Sequence, residues 1–149
     1  MHVLAALTTL LALLAGCRST TATVDSLNTR EVRPPNGFKI LTEIKATPAD
    51  RAQGMMFRDS LAADRGMLFV HERPGEYGYW MFNCRIPLDI IWLDSSKTVV
   101  ELSPDTPPCK TEAAQCPSYG GTKTSQFVVE LQAGSIARHG LQAGDKIEF

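Results

Sequence analysis

The chain has no block of like charge. Lys and Arg total 15 against 16 Asp and Glu, for a net charge of −1. No basic patch marks a nucleic-acid partner, and no acidic run marks a solvating tail. Beyond residue 17 no apolar run approaches the ~20 residues that a membrane-crossing helix needs. Histidine is scarce: His2, His71 and His139 are the whole set. His71-Glu72 begins like a zinc-protease helix, but no second histidine follows at the required spacing. There is no Gly-rich phosphate loop, and the Ser-rich spots lack the glycine elbow of esterases. No metal and no cofactor are therefore expected from motifs.

What is present begins at the N-terminus. An apolar run from Val3 to Ala15 has the length of a signal-peptide h-region and closes on Leu14-Ala15-Gly16-Cys17. This resembles the lipobox of bacterial lipoproteins, which implies cleavage after Gly16 and acylation of Cys17. One acyl chain holds a protein only marginally, at ~0.8 kcal/mol per buried methylene, so stable anchoring takes more than one. The alternative is a short buried N-terminal helix, which the polar, Thr-rich sequence directly after it disfavours. Residues 17–36 are rich in Thr, Ser and Asn with Pro34-Pro35 near the end, and read as a disordered tether spanning ~25 Å on average. Arg18 follows the cysteine, which resembles lipoproteins sorted to the outer membrane. The expected partner is thus the membrane through Cys17, with the domain on the periplasmic side of the envelope.

With Cys17 lipidated, Cys84, Cys109 and Cys116 remain in an oxidising compartment. Cys109 and Cys116 share a Pro-rich loop and form the natural disulfide, worth about 2.5 kcal/mol in the chain-entropy model. Two free thiols or a metal pair are the alternatives. Cys84, after an apolar aromatic run, reads as a buried small hydrophobe.

Residues 37–149 read as one domain. Phe38, Ile40, Ile44 and Ala46 alternate with Lys39, Glu43 and Lys45, a half-buried strand. Thr47-Pro48-Ala49-Asp50 opens a short helix, with Thr47 as cap and Pro48 at its first turn. Further strands are expected at Gly66–Val70, Tyr79–Phe82, Leu88–Leu93, Thr98–Leu102, Phe127–Leu131 and Asp145–Phe149. A tight turn is expected at Asp94–Lys97, a long loop over Ser103–Thr124 and a short helix at Ser135–His139, stopped by Gly140. The sum is a strand-dominated α+β domain: a small curled antiparallel sheet or partly closed barrel with two short helices. The βαβ spacing of a parallel sheet is missing.

The anomaly is Asp89. Positions 88, 90 and 92 form one strand face and 89, 91 and 93 the other, so Asp89 shares an apolar face with Ile91 and Leu93. A carboxylate there must be paired or hydrogen-bonded. Arg51, Arg58, Arg65 and Arg85 are candidate partners; the structural alternative is an ion pair or a carboxylate that caps backbone amides.

Several spaced blocks carry a resemblance: Arg51-Ala-Gln-Gly-Met-Met-Phe-Arg58, Gly66-Met-Leu-Phe69, Trp80-Met81 through Asn83, Ile86-Pro-Leu-Asp-Ile90, Cys116-Pro117-x-Tyr119, Val129-Glu-Leu131 and Ala133-Gly134 to Gly144-Asp145. Together they resemble the domain of unknown function 192 family from about Gly37 to the C-terminus. The resemblance implies a small β-rich domain, often secreted or lipid-anchored, and no established activity. Cys84 stands where the family typically has Thr, and Phe82 where it often has Lys.

The first functional expectation is a non-enzymatic envelope module that binds a ligand or protein partner through Trp80, Asn83 and Tyr119, with Asp89 and Arg58 as polar anchors. The second is a hydrolase with Asp89 as acid or base; Glu101, Asp105 and Glu130 are further carboxylates that could pair with it. A third is Cu(I) held by Met55, Met56, Met67, Met81, His71 and Cys84, residues that also suit ordinary core packing. A Cys84–His71 nucleophile pair is a further possibility that sequence leaves open.

Overall fold

The computed structural model describes residues 28–149. The lipobox, Cys17 and residues 17–27 of the expected tether lie outside the described residues.

Six strands form the main sheet, in the order β1-β2-β3-β8-β5-β6. They are β1 (Thr29–Val32), β2 (Ile40–Lys45), β3 (Arg65–Gly75), β5 (Leu88–Leu93), β6 (Val99–Thr106) and β8 (Ser125–Gln132). A two-stranded sheet pairs β4 (Tyr79–Trp80) with β7 (Ser118–Tyr119). Helix α1 (Pro48–Gln53) lies between β2 and β3, and α2 (Ser135–His139) follows β8. The domain is strand-dominated with two short helices, and the sheet is curled and not closed.

Three expectations are corrected. First, β2 and β3 run parallel, with Leu41 opposite Arg65 and Lys45 opposite Phe69, so the sheet is mixed rather than antiparallel. The segment between them is a βαβ crossover whose helix is only six residues long, too short to stand out against the usual βαβ spacing. Second, the expected tether ends early: Thr29–Val32 pairs antiparallel with β2, and Arg33 bridges Glu148. Val32 is buried while its neighbours are not, and four residues with one inward apolar side chain show no period. Third, Asp145–Phe149 makes isolated bridges, Thr98 to Lys146 and Arg33 to Glu148, rather than a strand.

Both faces of the sheet are covered. Ile91 and Leu93 of β5 join Leu68, Val129 and Leu131 in one core, closed by Val32, Leu141 and Ile147. Leu88, Ile90 and Trp92 of the same strand join Met67, Phe69 and Val128 in the other, closed by Met55, Leu61, Met81 and Cys84. That double cover is why Leu88–Leu93 is buried at every position and reads as an unbroken apolar run. Each such side chain contributes about 1.5–3 kcal/mol by leaving water. Trp92 is fully buried, and its indole N–H donates to the Tyr77 carbonyl at 2.7 Å.

Local signals are met closely. The Thr47 hydroxyl oxygen accepts from the Asp50 N–H at 3.1 Å and donates to the Asp50 carboxylate at 2.5 Å. Gly140, at φ 64°, ends α2 in the left-handed conformation. Cys109 and Cys116 form the expected disulfide. Cys84 is the free, buried cysteine among the described residues.

Candidate functional site

The site is built where α1 and the loop behind it meet the β4–β7 pair, on the second core's face of the sheet. A narrow pocket of about 30 Å³ reaches inward between Gly54, Met55, Met56, Tyr79, Phe82 and Cys84 to Glu130. A wider cleft of about 230 Å³ lies outside it, between Arg51, His71, Tyr77 and Trp80. The two share Arg51, Ala52, Tyr79 and Trp80, so they form one cleft with a wide mouth and a narrow end.

Glu130 sits on β8 opposite Met67 of β3 and Ile90 of β5. It is 4% exposed, and its Oε2 has no hydrogen-bond partner among the described residues. Burial pushes its carboxyl up to about 8, against a smaller pull downward from the Arg58 charge. At neutral pH it is therefore mostly a carboxylic acid, with a proton to donate. Burial likewise pushes the Cys84 thiol up to about 12, with Glu130 adding to the effect. That is the opposite of an activated nucleophile.

The walls are aromatic and fixed. The His71 ring stacks on Tyr77 with centroids 3.5 Å apart and planes 5° from parallel. Its Nε2 lies 3.1 Å from the Tyr79 hydroxyl. Burial, then the Arg51 charge, lowers His71 to about 4, so the ring is neutral at physiological pH. The Tyr79 ring meets Phe69 and Trp92 edge-on at 5.1 and 6.0 Å, and burial raises its hydroxyl well above the usual phenol range. Trp80 is 44% exposed and leans on Phe82 with centroids 5.2 Å apart. The Arg51 guanidinium is steadied by Nη1, which donates to the carbonyls of Ala46 and Val70.

The sequence-expected binding residues do not converge. Trp80 lines the cleft. Tyr119 supports it from behind, paired with Tyr79 and packed on the second core. Asn83 shapes the adjoining turn: at φ 56° it holds a left-handed conformation that Asn tolerates, and its carbonyl accepts from the Phe57 N–H at 2.9 Å. Arg58 makes a bidentate pair with Glu43 at 2.6 and 2.8 Å.

Asp89, expected as a polar anchor or as an acid or base, lies inside the fold and away from the cleft. It has no exposed surface and no arginine partner. Its carboxylate accepts from the backbone N–H groups of Asp105, Gly134 and Ile136, at 2.8, 3.2 and 2.6 Å. It caps the start of α2, on the opposite face of the sheet from Glu130. The two carboxylates cannot form a catalytic pair. Glu101 is engaged by the Thr122 N–H and hydroxyl instead.

For the soft-metal set, Met55, Met67, Met81 and Cys84 are packed within the second core. Among the described residues no three His, Cys, Asp or Glu side chains group as a metal site, and no helix is long and apolar enough to cross a membrane.

Glu130 is the residue that reasoning from sequence undervalued. Its signal was the same as that of Asp89: a carboxylate inside an apolar strand, Val128-Val129-Glu130-Leu131. The two differ in what covers their faces, which no strand pattern shows.

Fold and cleft together define a small mixed-sheet domain with an acid-floored pocket. The chain belongs to the domain of unknown function 192 family, an uncharacterised family whose model matches residues 31–149. Among solved structures it is similar to a proposed transcription regulator from Sinorhizobium meliloti, at 29% identity and a TM-score of 0.69, covering 79% of this chain and 89% of that one. It is equally similar to a protein of unknown function from Novosphingobium aromaticivorans, at 29% identity and a TM-score of 0.69, covering 81% and 84%. No curated protein matches the chain.

Proposed function

We propose that this chain is a lipid-anchored envelope protein whose domain binds a small ligand in the cleft between α1 and the β4–β7 pair. One observation carries the binding reading: Glu130 Oε2 is buried and unpaired at the end of a pocket that opens to the surface beside an exposed tryptophan. An unmet buried polar group costs about 1–3 kcal/mol. Such groups are rare in folded proteins and concentrate where something else completes them. An exposed aromatic at a cleft mouth with a few convergent polar groups is the usual make-up of a small-molecule site.

Support for the anchor comes from Leu14-Ala15-Gly16-Cys17. Because β1 belongs to the domain, only residues 18–27 separate Cys17 from Asn28. At ~3.5 Å per residue that segment reaches at most about 40 Å. The ligand is then a component of the envelope close to the membrane, and the domain is a binding module rather than a catalyst.

The test uses the full chain in detergent. Trp80 emission and thermal unfolding are followed against a panel of small organic acids, amines, amides and saccharides. The reading expects ligands that shift Trp80 emission, that bind Glu130→Gln at least tenfold more weakly, and that do not stabilise Trp80→Ala. Ligands indifferent to both substitutions, or no ligand from the panel, overturn it. Mass spectrometry that finds Cys17 unmodified overturns the anchor.

A further inference from the structure

The charges around this cleft narrow what it can hold. Among the described residues Glu130 makes no ion pair, and no other carboxylate lines either part of the cleft. The fixed charge at the mouth is Arg51, steadied through Nη1 on two carbonyls. Arg58, already paired with the Glu43 carboxylate, exerts a smaller positive influence on Glu130 from the loop after α1. The remaining groups that face Glu130 are the Tyr79 hydroxyl from β4 and the Cys84 thiol from the turn before β5, with His71 of β3 in the outer part. All three are neutral at physiological pH. The inner pocket, about 30 Å³, has room for roughly two waters. That is the bulk of a carboxylate. A ring or chain attached to it would lie in the outer space beside Tyr77 and Trp80.

We infer that the inner pocket takes the carboxylate of a small organic acid, hydrogen-bonded to the unpartnered Glu130 carboxyl at its end while Arg51 supplies the balancing positive charge. The inference rests on the ligand-cleft reading above and names the ligand class. A hydrogen bond from an acid to a carboxylate is of the short, charge-assisted kind, about twice as strong as a neutral one. The opposite occupant, an ammonium group, would have to pass Arg51 and ionise a carboxyl that burial holds neutral.

The two occupants respond to pH in opposite directions, which sets the experiment. Benzoate, benzamide and benzylammonium are titrated into the full chain in detergent at pH 6.5 and pH 9. Trp80 emission and the carboxyl carbon resonance of ¹³C-labelled Glu130 are the readouts. The inference expects benzoate to bind at least tenfold more tightly than benzamide at pH 6.5 and at least fivefold more weakly at pH 9. In Glu130→Gln, which keeps a donor and cannot ionise, that pH dependence disappears. The wild-type pH profile needs no variant, so a poorly folding substitution leaves the inference exposed. Benzylammonium binding that strengthens at pH 9, or benzoate binding with no pH dependence, overturns it. Equal binding of benzoate and benzamide at Trp80 overturns the carboxylate assignment and leaves the cleft standing. If Trp80 is silent toward all three compounds and toward the wider panel, the cleft reading itself fails.

Discussion

Ile136 donates its backbone N–H to Asp89 Oδ2 at 2.6 Å, across 47 positions of sequence. That bond fastens the start of α2 to strand β5, between β8 and the edge strand β6. Through Oδ1 the same carboxylate also holds Gly134 and Asp105, the latter at a left-handed φ of 46°. Asp89→Ala leaves three N–H groups without their acceptor and should destabilise the domain by about 3–5 kcal/mol. Asp89→Asn keeps one acceptor oxygen and should cost about half as much. Urea unfolding measures both. Ligand binding in the cleft should survive in whatever fraction is folded, because Asp89 lies on the other face of the sheet.

Glu130 makes stability depend on pH with a definite sign. Its folded pKa, about 8, lies above the ordinary 4.5. Between those values the native state holds a proton that the unfolded chain has lost, so stability falls as pH rises through that window. His71, lowered to about 4, acts in the other direction between 4 and 6.5, so the two oppose each other in acid. Between pH 6.5 and 8 Glu130 is the group that acts, because the raised Cys84 thiol begins to count only near pH 9. Stability should drop by up to about 2 kcal/mol from pH 6.5 to 8, at 1.36 kcal/mol per unit. Glu130→Gln should remove that drop, as seen by chemical denaturation at each pH.

Arg58 should prove a tuning residue rather than a ligand contact. It and Glu43 form a half-exposed fork, so Arg58→Ala should cost no more than about 1 kcal/mol. The fork holds the Glu43 carboxyl below its usual range, a contribution present above pH 4.5 and lost as pH falls. Removing Arg58 also removes the positive charge that pulls Glu130 down, so the Glu130 pKa should rise. A ¹³C titration of the Glu130 carboxyl reads that shift directly. No change, or a fall, would contradict the placement.

Gly120 packs flat against the indole of Trp92. A Cβ there would lie 2.3 Å from the ring, at a φ of 61° that side chains rarely adopt. Gly120→Ala should destabilise the domain by about 3–5 kcal/mol and displace Trp92, weakening its bond to the Tyr77 carbonyl in the cleft wall. Near-UV circular dichroism and thermal unfolding would show it.

Much of the strand layout was legible because it depends on near neighbours. The cap at Thr47, the αL stop at Gly140, the Cys109–Cys116 staple and the alternation of β5 all follow from spacing within a few residues. The facing of Asp89 with Ile91 and Leu93 was legible too, since a strand's period of two is local. Trp80, expected as an exposed binding residue, lines the cleft. Asn83, close to it in sequence, shapes the turn, and Tyr119, far along the chain, supports the small sheet.

What escaped was pairing. β1 is held by partners on β2 and near the C-terminus, and nothing in Thr29–Val32 announces either. The parallel register of β2 with β3 is set by a short crossover rather than by the strands' own pattern.

The sequence by itself determined the local layout of this protein: where two helices are capped, which cysteines meet, most of the segments that extend, and that two carboxylates lie inside apolar strands. Only the tertiary structure decided what those carboxylates do. Asp89 faces a helix start and three amides, which satisfy it. Glu130 faces methionine, aromatic rings and a narrow opening, which leave one oxygen unmet. The difference is in the dielectric and the donors brought to each face by chain segments far away in sequence, and that is why one carboxylate is a staple and the other the floor of a site.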